Sequence, residues 1–157
     1  MTINSWKKEF FPKFPSKEMT ELQSIKHSLK KWIGLRKSNL EKHNLRQQGM
    51  SIVSNEKPSY MEVEWKNFEN EKFFPINVHC CSLCIKYFDF TVGDEDDVDD
   101  DWEFESGHFA CRKCPMKMKL GRDCFTQNDF DIWAGSGNPE QMIDVLSQLV
   151  EINKKGK

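Results

Sequence analysis

CSLCIKYFDFTVGDEDDVDDDWEFESGHFACRKC, residues 81–114, carries the same device at both ends: Cys81-Ser-Leu-Cys84 and Cys111-Arg-Lys-Cys114, with 26 residues between them. Two residues between cysteines let both sulfurs turn toward one point. Two such pairs supply four thiolates to a tetrahedral ion. The spacing is slightly longer than the usual zinc version of the pattern but of the same kind.

The residues between the pairs have a strand period. Phe88, Phe90 and Val92 alternate, as do Trp102 and Phe104, with Glu103 and Glu105 on the other face. Pairing Phe90 with Phe104 and Val92 with Trp102 predicts an antiparallel hairpin with loop 93–101. That register sets Cys84 opposite Ala110, beside Cys111, so the hairpin base brings the two knuckles together. The expected ligands are Cys81, Cys84, Cys111 and Cys114, with Cys124 as the alternate ligand and Cys80, His79 and His108 as spares. A closed site of four sulfurs suits structural Zn²⁺. A four-cysteine iron–sulfur cluster fits the same residues, and Pro115 after Cys114 is found in some ferredoxin runs. A redox dithiol is the other use of C-x-x-C, but such motifs open a helix, whereas these pairs flank an expected hairpin.

Upstream, Met19, Leu22, Ile25, Leu29, Trp32 and Ile33 recur every three or four residues. They predict a helix over about 17–33, capped by Ser16 and closed by Gly34. Lys26, Lys30, Lys31 and Lys37 fall mostly off its apolar stripe. Residues 1–15 read as a basic-aromatic lead-in. Ser38 is expected to cap a short helix with Leu40 and Leu45 inward, ending near Gly49. Met61–Trp65 alternates as a half-buried strand, and Ser51–Ser54 reads as another. Pro58 and Pro75 are breaks. Downstream, Phe130 and Trp133 face inward on a short helix of about 128–134 stopped by Gly135. Asn138-Pro-Glu-Gln141 then starts a final helix of about 139–153 with Met142, Val145, Leu146, Leu149 and Ile152 inward.

These elements predict an α+β fold. Helices at both ends pack on a small antiparallel sheet, and the zinc knuckles clamp a hairpin. At 157 residues the chain reads as one domain. Its parts are a basic helical arm (1–48), strands with a Cys-rich metal module (49–125), and a helical C-terminus (126–157). The start, Met1-Thr-Ile-Asn-Ser-Trp-Lys-Lys, leads into no apolar run, so no secretory signal or membrane span is expected. That places the chain in the cytoplasm, where thiols stay reduced and six cysteines favour metal over disulfides.

The net charge of −2 hides an asymmetry. Residues 1–60 hold twelve Lys and Arg against five Glu, and residues 61–157 hold eleven against twenty acids. An acidic C-terminal half argues against nucleic acid as the partner. The acidic run contains Asp94, Asp96, Asp97, Asp99, Asp100 and Asp101. It fits an EF-hand at Glu105 but fails where glycine is required, at Asp99. It reads instead as a solvated tip or as a surface for a basic protein partner. A nuclease of the His-Asn-His type needs neighbouring histidines between its knuckles. Only His108 lies there.

The chain resembles a loose group of small, uncharacterised proteins of tailed phages and prophages. Trp32, Leu35, Leu40 and His43 carry the resemblance, followed by Cys81-Ser-Leu-Cys84, Cys111-Arg-Lys-Cys114-Pro115, Gly121, Cys124, Trp133 and Met142-Ile143 with Leu146. It implies a phage accessory protein in the host cytoplasm, with a role for Cys124 but no defined activity. The long acidic insert departs from the group's shorter connection. The expected function is a zinc-stabilised protein that binds a protein partner, such as a host or defence protein, without catalysis. The alternative is a metal-dependent nucleic-acid-binding or nuclease-like factor.

Overall fold

Ile3, Trp6 and Phe10 recur at helical spacing, and all three are buried on one face of α1 (Ile3–Phe10). The N-terminal segment is therefore a core helix, not only a lead-in. Ser5 Oγ accepts the Thr2 N–H at 3.0 Å, which satisfies a free donor of the first turn. The structure, a computed structural model, describes residues 2–56, 67–77, 80–87, 113–122, 133 and 135–156.

The central helix α2 (Glu21–Gly34) starts later than Ser16 predicts. Thr20 is the cap: its hydroxyl accepts the Gln23 N–H at 3.2 Å, and Gln23 Oε1 accepts the Thr20 N–H at 2.8 Å. This reciprocal box satisfies two donors at once, while Ser16 serves a turn in which its carbonyl accepts from Met19 N–H. Gly34 is not a left-handed stop either. It is the last helical residue, and a Cβ there would lie 2.5 Å from Phe10 Cγ. The missing side chain seats Phe10, and the Gly34 carbonyl accepts from Trp6 Nε1 at 2.8 Å.

Helix α3 (Lys37–Lys42) is shorter than expected. Asn44 has φ +56°, so the helix ends and the chain turns into a strand. Leu45 is buried as expected, but on β1 (Leu45–Gln48) rather than on a helix. Gly49, at φ +53°, opens a two-residue turn into β2 (Ser51–Ser54), the expected strand. β1 and β2 pair antiparallel, with Leu45 opposite Ser54 and Gln48 opposite Ser51. β3 (Phe73–Pro75) adds antiparallel to β2, giving the order β1-β2-β3. Pro75 ends this edge strand, where a missing N–H is tolerated. Phe74 meets Trp6, Phe11 and Phe68 at centroid distances of 5.0–5.5 Å and joins the sheet to α1.

Residues 82–87 form α4 (Ser82–Tyr87), so Cys84 lies on a helix and not at a strand ladder opposite Ala110. The hairpin beyond it (88–104), the strand 61–65, and Phe130 lie outside the described residues. α5 (Pro115–Leu120) has Pro at N1, where a missing N–H does no harm, and Gly121 at φ +66° after its end. Gly135 is helical and not the stop. The left-handed residue is Gly137, at φ +73°, whose N–H donates to the Trp133 carbonyl at 2.7 Å.

The last helix, α6 (Glu140–Lys155), starts where the Asn138 carboxamide oxygen accepts the Glu140 N–H at 3.1 Å. Met142, Ile143, Val145, Leu146, Leu149 and Val150 are its buried face, while Ile152 is partly exposed rather than inward. α6 packs along α2. Arg36 and Glu140 close the pair with two parallel bonds of 2.8 Å, and Trp32 meets Trp133 edge-on at 5.6 Å. The architecture is α+β, with helices around a three-stranded antiparallel sheet. No described helix is long and apolar enough to cross a membrane.

Candidate metal centre

The first cysteine pair lies against α2 in a clear register. Tyr87 donates to Glu21 Oε2 at 3.3 Å, and Ser82 Oγ donates to His27 Nδ1. Ser28 Oγ lies 3.8 Å from Cys81 Sγ, and Lys31 Nζ donates to the Cys80 carbonyl at 3.3 Å. Positions rise along α2 as they fall along 80–87, so the two segments run antiparallel.

The adjacent thiols Cys80 and Cys81 differ in chemistry. Cys80 is fully buried. Its Sγ–H donates to the Asn77 carbonyl at 3.1 Å, and its sulfur accepts the Asn77 N–H at 3.3 Å. Burial pushes its thiol above the ordinary range, against the pull of Lys31. Cys80 is therefore a neutral, hydrogen-bonded thiol. Cys81 is held well below the ordinary range: the Cys84 side chain donates to its sulfur, and Lys31, the Cys84 N–H and Ser28 add to this against burial. Cys81 is the anion of the group.

Lys31 is its counterpart. Its side chain is fully buried, and its Nζ lies 3.4 Å from Cys80 Sγ and 5.7 Å from the Trp32 ring centroid. Burial alone would pull the ammonium down. The sulfurs of Cys80, Cys81 and Cys84 outweigh it and hold Lys31 above the ordinary lysine range. Among the described residues, no carboxylate pairs with it. An isolated buried ammonium costs far too much to persist without a compensating anion. Cys81, the thiol most favoured as thiolate, supplies that anion.

Cys114 caps the start of α5 and lies near Tyr87. Burial, then the Glu21 carboxylate, then Cys114 push the Tyr87 phenol up to about 12. Lys119 of α5 donates to Glu21 Oε1 and, at 3.1 Å, to Asn153 Oδ1. Glu21 thereby ties α4, α5 and α6 to the start of α2. Cys80, Cys81, Cys84 and Cys114 are all free of disulfides.

Of the expected ligands, Cys81 and Cys84 lie on the segment packed against α2, and Cys114 lies near Tyr87 at the end of that segment. Cys111, Cys124, His79, His108 and the acidic residues Asp94–Asp101 lie outside the described residues. Among the described residues, no three Cys, His, Asp or Glu side chains form a complete metal-holding group. Lys31, Ser28, Ser24 and His27 are the site residues that periodicity missed. Lys26, Lys30 and Lys37 are exposed as expected, whereas Lys31 is buried. Ser24, Ser28 and Lys31 are spaced i, i+4 and i+7 on α2, which is the signal that could have revealed a polar buried face.

A second polar constellation lies elsewhere. Ser5 Oγ lies 2.7 Å from His43 Nδ1, and His43 Nε2 lies 3.0 Å from Glu9 Oε2. The order resembles a hydrolase triad, but Ser5 Oγ also accepts the Thr2 N–H and donates to the Thr2 carbonyl at 2.8 Å. The hydroxyl closes a helix turn, and the group straps α1 to the end of α3. A groove of about 320 Å³, lined by residues that include Leu40, Leu45, Arg46, Gln47 and Gly137, contains none of the three.

Comparison with known protein families, with curated proteins and with solved structures finds no match to this chain.

Proposed function

We propose that this chain is a non-catalytic protein-binding module. A Zn²⁺-type ion held by Cys81, Cys84, Cys111 and Cys114 staples its Cys-rich half, with Cys124 as the alternate ligand. One observation carries the reading: among the described residues, Lys31 is buried against sulfur with no carboxylate partner. A cation in that position favours thiolate beside it, the state in which cysteine binds metal. The partner is a protein, such as a host or defence protein if the phage resemblance holds. Its docking surface on this chain is the acidic run Asp94–Asp101, assigned from sequence alone. The exposed Lys13, Lys17, Lys26 and Lys30 give the helical arm the opposite sign.

A second reading has an observation of its own. Cys81-Ser-Leu-Cys84 leads into a helix, and Cys81 favours the thiolate. Both features suit a redox dithiol, and the first removes the sequence argument against one.

Elemental analysis of freshly purified, reduced protein separates these readings. The staple requires stoichiometric zinc, a cluster requires iron with acid-labile sulfide, and a dithiol requires neither. Capture from lysate tests the partner. Replacing Asp96, Asp97, Asp99 and Asp100 by Asn should abolish capture of one protein with the fold intact. Unchanged capture would remove the acidic run from the function. A steeply salt-dependent DNA shift would replace the protein partner by nucleic acid.

A further inference from the structure

The face of α2 that meets the cysteines is polar where a core-facing stripe is normally apolar. Ser24, Ser28 and Lys31 are all buried, at one-turn intervals along the helix. Opposite Ser28 and Lys31 stand Cys81 and Cys80. Ser28 Oγ reaches Cys81 Sγ at 3.8 Å, and Lys31 Nζ reaches the Cys80 carbonyl and sulfur. Ser24 Oγ is fully buried with no hydrogen-bond partner among the described residues. A buried hydroxyl without a partner is costly. Ser28 and Lys31 are the donors of this face that are matched to sulfur. The neighbouring buried side chains on α2, Ile25 and Trp32, are ordinary core.

We propose that this face of α2 is the outer shell of the metal–thiolate centre: Lys31 is its counter-cation, Ser28 donates to the sulfur of Cys81, and Cys80 stays outside it as a structural thiol. The inference rests on the metal reading above. Four thiolates around a divalent ion leave two excess negative charges in a poorly solvated place. A buried ammonium offsets one of them. Hydroxyl donors draw electron density from the sulfurs, which makes them weaker nucleophiles and poorer leaving ligands. Outer-shell groups of this kind usually change metal affinity by about 10- to 100-fold. Cys80 cannot take a ligand's place without losing the proton that it donates to the Asn77 carbonyl.

The test uses the full-length chain with Zn²⁺, and with Co²⁺ as a coloured probe. Zinc affinity is measured by chelator competition and zinc release by adding N-ethylmaleimide. Lys31→Met should weaken zinc by about tenfold or more, speed its release, and move the sulfur-to-cobalt charge-transfer band to longer wavelength. Lys31→Arg should restore most of the affinity, and Lys30→Met, an exposed neighbour, should change nothing. Cys80→Ala should leave zinc stoichiometry unchanged. If Lys31→Met does not fold, Ser28→Ala carries the test through the same band shift and a several-fold loss. Wild-type affinity and an unmoved band in the folded variants would overturn the outer shell while leaving the metal intact. An equal loss in Lys30→Met would reduce the effect to bulk charge and also overturn it. A wild-type chain with neither zinc nor a cobalt–thiolate band would overturn the metal reading itself, and this inference with it.

Discussion

Gly34→Ala should destabilise the protein, although alanine is the better helix former. In a helix interior the exchange favours alanine by about 1 kcal/mol, and less at a last residue. The added Cβ would lie 2.5 Å from Phe10 Cγ and 2.6 Å from Phe10 Cβ. Ordinary contact needs the ring to retreat by roughly 1 Å. Phe10 has little room, being buried with Trp6 and His43 at centroid distances of 6.0 and 5.9 Å. Trp6 is held in turn by its bond to the Gly34 carbonyl. Overpacking of this kind costs about 1–3 kcal/mol, which exceeds the propensity gain and leaves a net loss of about 1–2 kcal/mol. Denaturant unfolding should show a lower midpoint at unchanged slope. Phe10→Ala, itself costing about 3–5 kcal/mol, should remove the clash, so that Gly34→Ala becomes neutral or stabilising in that background. A Gly34→Ala protein at least as stable as the parent would refute the reasoning.

A chelator should lower the melting temperature, and Cys81→Ser or Cys114→Ser should yield insoluble protein; a melting curve indifferent to the chelator would count against the staple. His27 provides a pH test. Burial holds its imidazole below the ordinary value, against the Lys13 carbonyl, which accepts its Nε2–H at 2.8 Å. The folded state thus favours neutral His27. Its contribution is fully present above the unfolded pKa of about 6.5 and is lost as pH falls toward the lowered folded value. His27→Gln should flatten stability across that window, and an identical pH profile in the variant would exclude His27 as the cause.

The strongest periodic signals survived into the structure because they arise within a single element. The stripe of α6 and the alternation at Ser51–Ser54 need only local spacing to be read. Boundaries fared worse. Ser16 and Thr20 are both good caps, and the choice went to Thr20 because Gln23 returns the bond. Leu45 was legible as inward but not as strand, since Asn44 had to adopt φ +56° to break the helix. α1 was missed because three apolar residues among lysines make a weak pattern until a core exists to receive them.

The amino-acid sequence by itself determined the α+β class and the last helix, and it singled out the paired thiols. Cysteine spacing does this alone, because two intervening residues confine a pair of sulfurs whatever surrounds them. Only the tertiary structure decided what faces those sulfurs. Lys31 looks like any surface lysine in a basic helix. It becomes a buried cation beside the Cys80 sulfur because the 80–87 segment docks antiparallel on α2. The same docking separates Cys80, satisfied by Asn77, from Cys81, held as the anion. Burial and charge belong to the packed arrangement, and no one-dimensional pattern carries them.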